Sequence, residues 1–333
     1  MSSLLHDMNF EKTDSDQCLF IKRGSNPILI ATYVDDLLVA SPTIDGIIKF
    51  ENDLQKKINL KVLGDVKHIL GWNINYDDKL GVSITQRSYI TRILKQFGMQ
   101  DCNPVKTPAL KCQQVKTDTN EKEQEFPYRE AVGGLLYVAN SCRPDIAQAT
   151  HHAARFVNDP TKEHVQAVKR IFRYLKGTVN TGIIFKKCNT YQLQGYADAD
   201  YAGDTASARS TTGYIFVTNG PISWRSRRQQ ITALSTTEAE LNAFAAASKE
   251  AVWLTTILIE INLLPTDYLV KIFEDNTGCL ALVQGKRTPA RTRHMAVRIG
   301  YVRDLIMSKI IDVICCPTKR DDSGPPNKAI RTH

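Results

Sequence analysis

The sequence predicts an α/β (α+β) fold, and three observations predict it. Short apolar runs separated by turn signals fill the first hundred residues. Amphipathic helical patterns occupy residues 128 to 177. From residue 190 the order becomes strand, strand, strand, helix, strand, helix, which makes a mixed sheet covered by helices. At 333 residues the chain has room for about two domains.

The elements follow in chain order. Residues 17 to 40 read as two or three short strands, with Asp35 and Asp36 at a turn inside the apolar stretch "ILIATYVDDLLVA". "DGIIKFENDLQKKINL" is a polar helix. "HILGWNINY" and "GVSITQ" are strands joined by the turn signal "DDKLG", and "RSYITRILKQFGM" is a short amphipathic helix. Residues 101 to 127 are polar, hold three prolines and read as a linker. Three helices follow: "YREAVGGLLYVANSC", "PDIAQATHHAARFV" and "TKEHVQAVKRIFRYLKG". Pro144 stands in a first turn and Gly177 at a C-terminal stop. In the last third, "YQLQGYADADYAG" is a strand and "TGYIFVTNGPISWRS" a hairpin around Asn219-Gly220. "RQQITAL" reads as a further strand, ahead of the long helix "STTEAELNAFAAASKEAVWLTTILIEI". The strand "YLVKIFED" runs into the helix "NTGCLALVQG", and "HMAVRIGYVRDLIMSK" and "IIDVICC" give a last helix and strand.

Bulk properties narrow the class. Hydrophobic residues make up 42% and charged residues 23%, an ordinary globular composition. The apolar runs stop well short of the ~20 residues a membrane span needs, so no membrane partner is expected. The N-terminus carries no basic segment ahead of an apolar core, and the eight cysteines show no C-x-x-C spacing. Reduced thiols and an intracellular protein, cytoplasmic or nuclear and not secreted, are therefore expected. A net charge of +8 fits a polyanionic partner without identifying one.

Two groups of acids carry the chemistry. Asp35 and Asp36 admit two readings: an ordinary hairpin turn, whose Asp side chains bond to nearby backbone N–H groups, or a carboxylate pair holding a hard cation such as Mg²⁺. The second group is Asp198, Asp275 and a glutamate. Asp198 shares a strand face with Gln192, Gln194 and Tyr196. Asp275 ends a strand directly before a helix, where ligands gather in open sheets. Ser235 and Glu238 form a capping box, S-T-T-E. Glu240 instead aligns with Phe244, Ala247, Ala251, Leu254 and Leu258, a stripe that faces the sheet, and so is preferred over Glu238 as the third acid. Asp200 and Asp204 could also ligate, but they lie nearer a loop and are expected to face solvent. Three acids on two strands and a helix suit divalent cations, Mg²⁺ or Mn²⁺, and hydrolysis of a phosphodiester, with carboxylates roughly 4 to 7 Å apart. Basic runs would meet the phosphates: Lys169, Arg173 and Lys176 on one helix face; Arg225, Arg227 and Arg228 in "WRSRR"; and Lys286, Arg287, Arg291, Arg293 and Arg298 in "GKRTPARTRHMAVR". Such runs also occur as plain solvated faces.

These residues carry a resemblance. "YVDDLLVA" resembles the active-site hairpin of a reverse transcriptase, and "ILGWNIN" the primer-contacting strand after it. "GYADADYAGD", "RSTTGYIFVTNGPISW", "ALSTTEAELNA", "EDNTGCLAL" and "RTRHMAVRIGYVRD" resemble successive blocks of the ribonuclease H domain in copia-type LTR retrotransposon polyproteins. The resemblance runs from about residue 5 to about residue 318. It implies a partial reverse-transcriptase palm and start of thumb over 1–100, and a linker with helical thumb or connection over 101–187. A ribonuclease H-like mixed five-stranded sheet would fill 188–318, ahead of a divergent tail, 319–333. It implies that Asp35 and Asp36 match the polymerase metal acids, and that Asp198, Glu240 and Asp275 match three of four ribonuclease H acids. The implied partners are an RNA–DNA hybrid and other parts of a Pol polyprotein.

The departures set further expectations. The resemblance implies another palm Asp on a strand upstream of the hairpin, yet 34 residues precede Asp35, and Asp7, Asp14 and Asp16 lie in a polar stretch that resembles the segment just before the hairpin, not that upstream strand. Primer extension by this chain alone is therefore not expected. After Pro317 and Thr318, Gly324 occupies the place of the fourth ribonuclease H Asp, with Asp322 nearby, and Ala296 stands where relatives often have an acid. A second function follows as an alternative: a nucleic-acid-binding remnant without catalysis.

Overall fold

The computed structural model describes residues 1–110, 126–188, 190–204, 207–285 and 290–316. The chain packs as two compact units: Met1–Lys67 with Val252–Tyr268, and His68–Ala251 with the residues from Leu269 onward. These divisions differ from the boundaries at 100 and 187 drawn from the sequence.

The first unit holds α1 (Ser2–Asp7), β1 (Glu11–Lys12), β2 (Leu19–Lys22), β3 (Ile28–Tyr33), β4 (Asp36–Ala40) and α2 (Ile44–Gln55). The strands form an antiparallel sheet in sequence order. Alternation along β2 and β3 sends Phe20, Ile28 and Ile30 to one face, where Leu5, Met8, Phe10, Phe50 and Leu54 close a small core. Helix α2 can begin at Ile44 because the Thr43 side chain accepts the otherwise unpaired Gly46 N–H at 3.3 Å.

The second unit begins with β5 (His68–Ile69), β6 (Trp72–Asp77), β7 (Gly81–Thr85), α3 (Arg87–Gln96), α4 (Tyr128–Ser141), α5 (Ala147–Ala153), α6 (Lys162–Gly177) and β8 (Ile183–Phe185). Strands β5 to β8 make a second antiparallel sheet. The expected helix over 144–157 is broken into a 3-10 turn at Pro144–Ile146, α5, and another 3-10 turn at Ala154–Phe156. Helices α3, α4 and α6 bury Ile93, Leu135, Val168, Phe172 and Leu175 against one another. At the start of α6 the capping box is closed by His164, whose Nδ1 accepts the Thr161 N–H at 3.0 Å.

The rest of the unit is β9 (Gln194–Asp204), β10 (Arg209–Val217), β11 (Pro221–Arg228), α7 (Thr236–Glu260), β12 (Val270–Glu274), α8 (Thr277–Gln284), α9 (Ala296–Met307) and β13 (Ile311–Cys315). Helix α7 reaches into the residues assigned to the first unit. The mixed sheet runs β11-β10-β9-β12-β13, antiparallel among the first three and parallel from β9 to β12 to β13. Gly195 is required at the sheet centre: a Cβ there would stand 2.5 Å from the Phe216 ring. The expected strand at 228–234 is not formed. Strand β11 ends at Arg228, and the Gln229 amide turns inward to the Ala239 carbonyl at 2.9 Å and the Thr212 hydroxyl at 3.1 Å. Ile231 and Leu234, whose apolar character suggested a strand, are exposed.

Asp204 also departs from expectation. It is buried, and its carboxylate accepts from Arg228 at 2.7 Å and Ser207 at 2.7 Å, with Arg155 at 3.8 Å. Burial alone would raise its pKa, but Arg228, Ser207 and Arg155 outweigh it and hold the carboxyl at about 2. Because the folded pKa lies below the ordinary carboxylate value, this group stabilises the fold above about pH 4 and loses that contribution as pH falls through about 2. Asp204→Asn is expected to lower the unfolding free energy at pH 7 by roughly 2 kcal/mol and to flatten this part of the acid limb. Urea unfolding at pH 7 and pH 2.5 checks this. Equal losses at both pH values would refute the ion-pair account.

Candidate metal centre

The sheet brings two acids together by register. Strands β9 and β12 are parallel, with Tyr196 paired to Phe273 and their rings stacked at 4.9 Å. Two residues further along each strand stand Asp198 and Asp275, so both acids emerge at the same end of the sheet. Glu240, in the first turns of α7, supplies the third. One ligand oxygen from each of Asp198, Glu240 and Asp275 lies within 4.8 Å of the others. The Asn276 side chain caps α8 directly after Asp275, accepting the Cys279 N–H at 2.8 Å, and so fixes where the strand ends.

Glu238 and Glu240 part company by their partners, not by burial. Both are buried, because α7 meets neighbours on more than one side: Gln229 touches Ala239, Tyr214 bonds to Glu250, and Gly278 lies against Thr237. The stripe argument alone would not have separated them. The Glu238 carboxylate turns back to accept the Leu234 N–H at 2.7 Å, its own N–H donates to Ser235 Oγ at 3.1 Å, and His294 Nε2 stands 3.5 Å away. Its cap partner is thus one residue before Ser235. Glu240 points into the acid cluster, accepts the Ala199 N–H on one side, and has no hydrogen-bond partner at Oε2.

The electrostatics explain what the cluster lacks. Burial first, then Glu274, Asp198 and Asp275, push the Glu240 carboxyl up to about 9. A fourth acid is present that sequence reading missed. Glu274 is 1% exposed; burial pushes it up to about 8, and its Oε2 is also without a partner. Its place in the alternation of β12, inward with Val270 and Ile272, could have marked it. Hard carboxylate oxygens, with the buried Glu240 and Glu274 each keeping one oxygen that has no hydrogen-bond partner, fit a divalent cation.

Elsewhere the sequence-expected residues are more scattered. Asp35 and Asp36 are exposed at a two-residue hairpin tip where Val34 has φ +53°, and no third acid joins them among the described residues. On α6, Arg173 donates to the Asn103 carbonyl at 2.7 Å, Lys176 to the Gln100 carbonyl, and Lys169 sits over the Phe126 ring. These cations also hold the segment after α3 against the helix. Arg225, Arg227 and Arg293 are exposed, Arg298 is half-buried, and Arg228 is tied to Asp204. Lys286 and Arg287 lie outside the described residues, as do Pro317, Thr318, Asp322 and Gly324, and nothing is described of the Arg291 side chain.

Comparison with known proteins then decides the family. Residues 1–111 match the family model for reverse transcriptase (RNA-dependent DNA polymerase). The chain is 37% identical over 341 aligned residues to the retrovirus-related Pol polyprotein from transposon TNT 1-94 of Nicotiana tabacum, covering 98% of this chain and 25% of that protein. It is 33% identical over 317 residues to the Pol polyprotein from transposon RE1 of Arabidopsis thaliana, covering 94% of this chain and 21% of that one. The chain belongs to the copia-type retrotransposon Pol family. It spans about a quarter of the length of these Pol relatives. Among solved structures, a foamy viral protease-reverse transcriptase in complex with RNA/DNA hybrid aligns over 90% of this Pol-family chain and 37% of its own, at 13% identity and a TM-score of 0.49. Among the described residues of this Pol-family chain, no helix is long and apolar enough to cross a membrane.

Proposed function

We propose that residues 188–318 act as a ribonuclease H that hydrolyses the RNA strand of an RNA–DNA hybrid, with Asp198, Glu240 and Asp275 holding Mg²⁺ or Mn²⁺. The observation that carries this reading is the meeting of three acids from two strands and a helix within 4.8 Å. When bound, such cations orient an attacking water and stabilise the leaving oxygen. The protein's part is placement. Asp198 and Asp275 are fixed by paired strands, and Glu240 is oriented by the Ala199 N–H. A cavity of about 120 Å³, lined by Gln148, Asp198, Gly213 and Trp224, opens beside Asp198.

A labelled RNA–DNA hybrid incubated with the chain and Mg²⁺ tests the reading: shortened RNA is expected with Mg²⁺ and none with EDTA. Intact RNA in both would favour the second reading, a nucleic-acid-binding remnant, for which Gly324 in the place of the fourth acid speaks. For the first unit we propose that Asp35 and Asp36 are the polymerase acids of a larger Pol protein, whose remaining parts would be partners. The exposed hairpin tip supports this reading.

Hybrid binding should be electrostatic. The exposed Arg225 and Arg227 are proposed phosphate contacts, together with Arg228, Arg291, Arg293, Arg298 and the α6 residues Lys169, Arg173 and Lys176. Arg225→Ala with Arg227→Ala is expected to shallow the log–log salt slope by about 1.4 to 1.8, or 0.7 to 0.9 per lost contact. The Lys169, Arg173 and Lys176 triple Ala variant should change it less per residue, because two of those cations must first leave carbonyls. Filter binding across a salt series measures both. An unchanged slope in the arginine pair would remove β11 from the interface.

A further inference from the structure

The cavity beside Asp198 exists because of one glycine. Strands β9, β10 and β11 pair so that Asp198, Gly213 and Ser226 stand side by side, and residues paired in this way share a face of the sheet. Two residues along on the same face, Ile215 is paired with Trp224 and Thr211 with Asp200. Helices α4 and α5 roof this face: Trp224 Nε1 donates to the Ala139 carbonyl at 2.7 Å, and Arg155, just after α5, donates to the Thr211 hydroxyl at 3.1 Å. Gly213, at the centre, adds no side chain, and the gap is the cavity of about 120 Å³. Nothing in the fold asks for glycine there. Its φ is not positive, and beyond its chain neighbours a Cβ built on it would meet nothing nearer than the Asp198 carbonyl oxygen at 3.7 Å. Glycine in mid-strand weakens the strand and marks a place where a ligand comes close to the backbone.

The lining selects a neutral, ring-sized group with a hydroxyl. Asp198 and Asp200 border the cavity and repel a phosphate. Pro144, Ala147, Ile215 and Trp224 give it apolar walls, which suit the face of a ring. The Gln148 carboxamide and the Ser226 hydroxyl line it too, and neither has a hydrogen-bond partner among the described residues. Both can donate and accept, as a ligand hydroxyl requires. An apolar cavity of about 150 Å³ holds a benzene ring, so about 120 Å³ suits one five-membered ring.

We propose that this cavity is a sugar subsite: it seats the ribose beside the scissile phosphate of the RNA strand, with Gln148 and Ser226 meeting the 2′-hydroxyl. Asp198 belongs both to the cavity and to the group of three acids, so a sugar seated here carries its phosphate toward the cations. Gln148, from the helical segment ahead of the nuclease sheet, thereby helps the chain tell RNA from DNA. The proposal rests on the ribonuclease H reading of Asp198.

The test reads binding in EDTA, so that no hydrolysis intervenes. Fluorescence anisotropy measures the affinity of the full chain for a labelled RNA–DNA hybrid and for the same hybrid with 2′-fluoro in place of every 2′-hydroxyl. Parent, Gly213→Val and Gln148→Ala are compared, with urea midpoints as the fold control. The parent is expected to prefer the hydroxyl-bearing hybrid by about tenfold, the scale of one or two hydrogen bonds. Gly213→Val fills the cavity and Gln148→Ala removes its carboxamide, so both are expected to lose most of that preference. Gly213→Val should do so with a urea midpoint equal to or above the parent's, because a β-branched residue suits a strand better than glycine. If Val disturbs the fold, Gly213→Ala, whose Cβ the site accommodates, carries the same expectation. A preference that survives in the folded variants, or a parent that cleaves the hybrid in Mg²⁺ without preferring the hydroxyl form, overturns the subsite alone. A parent that leaves the hybrid intact in Mg²⁺ overturns the nuclease reading and this proposal with it.

Discussion

Glu240→Gln is expected to abolish hybrid hydrolysis, lowering its rate by roughly 10³-fold or more, while Glu238→Gln stays within about tenfold of the parent. The two glutamates are two residues apart, about 200° around the helix axis, yet both are out of solvent, so burial predicts the same result for both. Their partners predict opposite results. The Glu240 carboxylate belongs to the group whose oxygens lie within 4.8 Å of one another, and Gln removes its charge while keeping its size. The Glu238 carboxylate accepts the Leu234 N–H at 2.7 Å, a bond that a Gln carbonyl also makes. Single-turnover cleavage of a labelled hybrid measures both variants. Should Glu238→Gln be the inactive one, the third acid has been assigned wrongly.

The second large effect concerns stability. Arg143→Ala is expected to cost roughly 3–5 kcal/mol, the scale for breaking a buried ion pair from one side. Arg143 is fully buried between α4 and α5. Its guanidinium donates to both Asp145 oxygens, at 2.9 and 2.7 Å, and to the Thr178 carbonyl and hydroxyl, at 2.9 and 2.7 Å. Tyr174 lies under it and donates to Asp145 at 2.8 Å. Truncation takes the cation and two donors from the Asp145 carboxylate, which keeps the Tyr174 hydroxyl, removes the guanidinium donor from the Thr178 carbonyl, and opens a cavity beside them. Lys restores the charge but not the planar fork, so Arg143→Lys should recover only part of the loss. Urea midpoints for the two variants decide the matter. A midpoint for Arg143→Ala within about 1 kcal/mol of the parent would show that the network contributes little.

The amphipathic helices α3, α4 and α6 were legible because each buries one stripe against its neighbours, a pattern the 3.6-residue period writes directly into the sequence. The strand at 228–234 was misread because Ile231 and Leu234 give the segment an apolar character yet lie exposed. Apolar character records composition, and Gln229, by bonding to Ala239 and Thr212, decides where the backbone leaves the sheet. Asp204 was misplaced for the same kind of reason: its partners Arg155 and Arg228 lie 49 and 24 residues away.

By itself, the sequence determined the family and the identity of Asp198, Glu240 and Asp275 as a candidate set, since ordered motif blocks and residue types are local properties of the chain. The capping box and the helical stripe already preferred Glu240 over Glu238; only the tertiary structure decided that both are buried, that Glu238 caps through the Leu234 N–H, and that Glu274 is a further buried acid with an oxygen that has no hydrogen-bond partner. It also decided that the α6 cations already hold backbone carbonyls. The reason is physical. A side chain's role follows from which donors, acceptors and charges surround it, and here those come from strands, helices and loops far apart in the chain and adjacent only once the chain has folded.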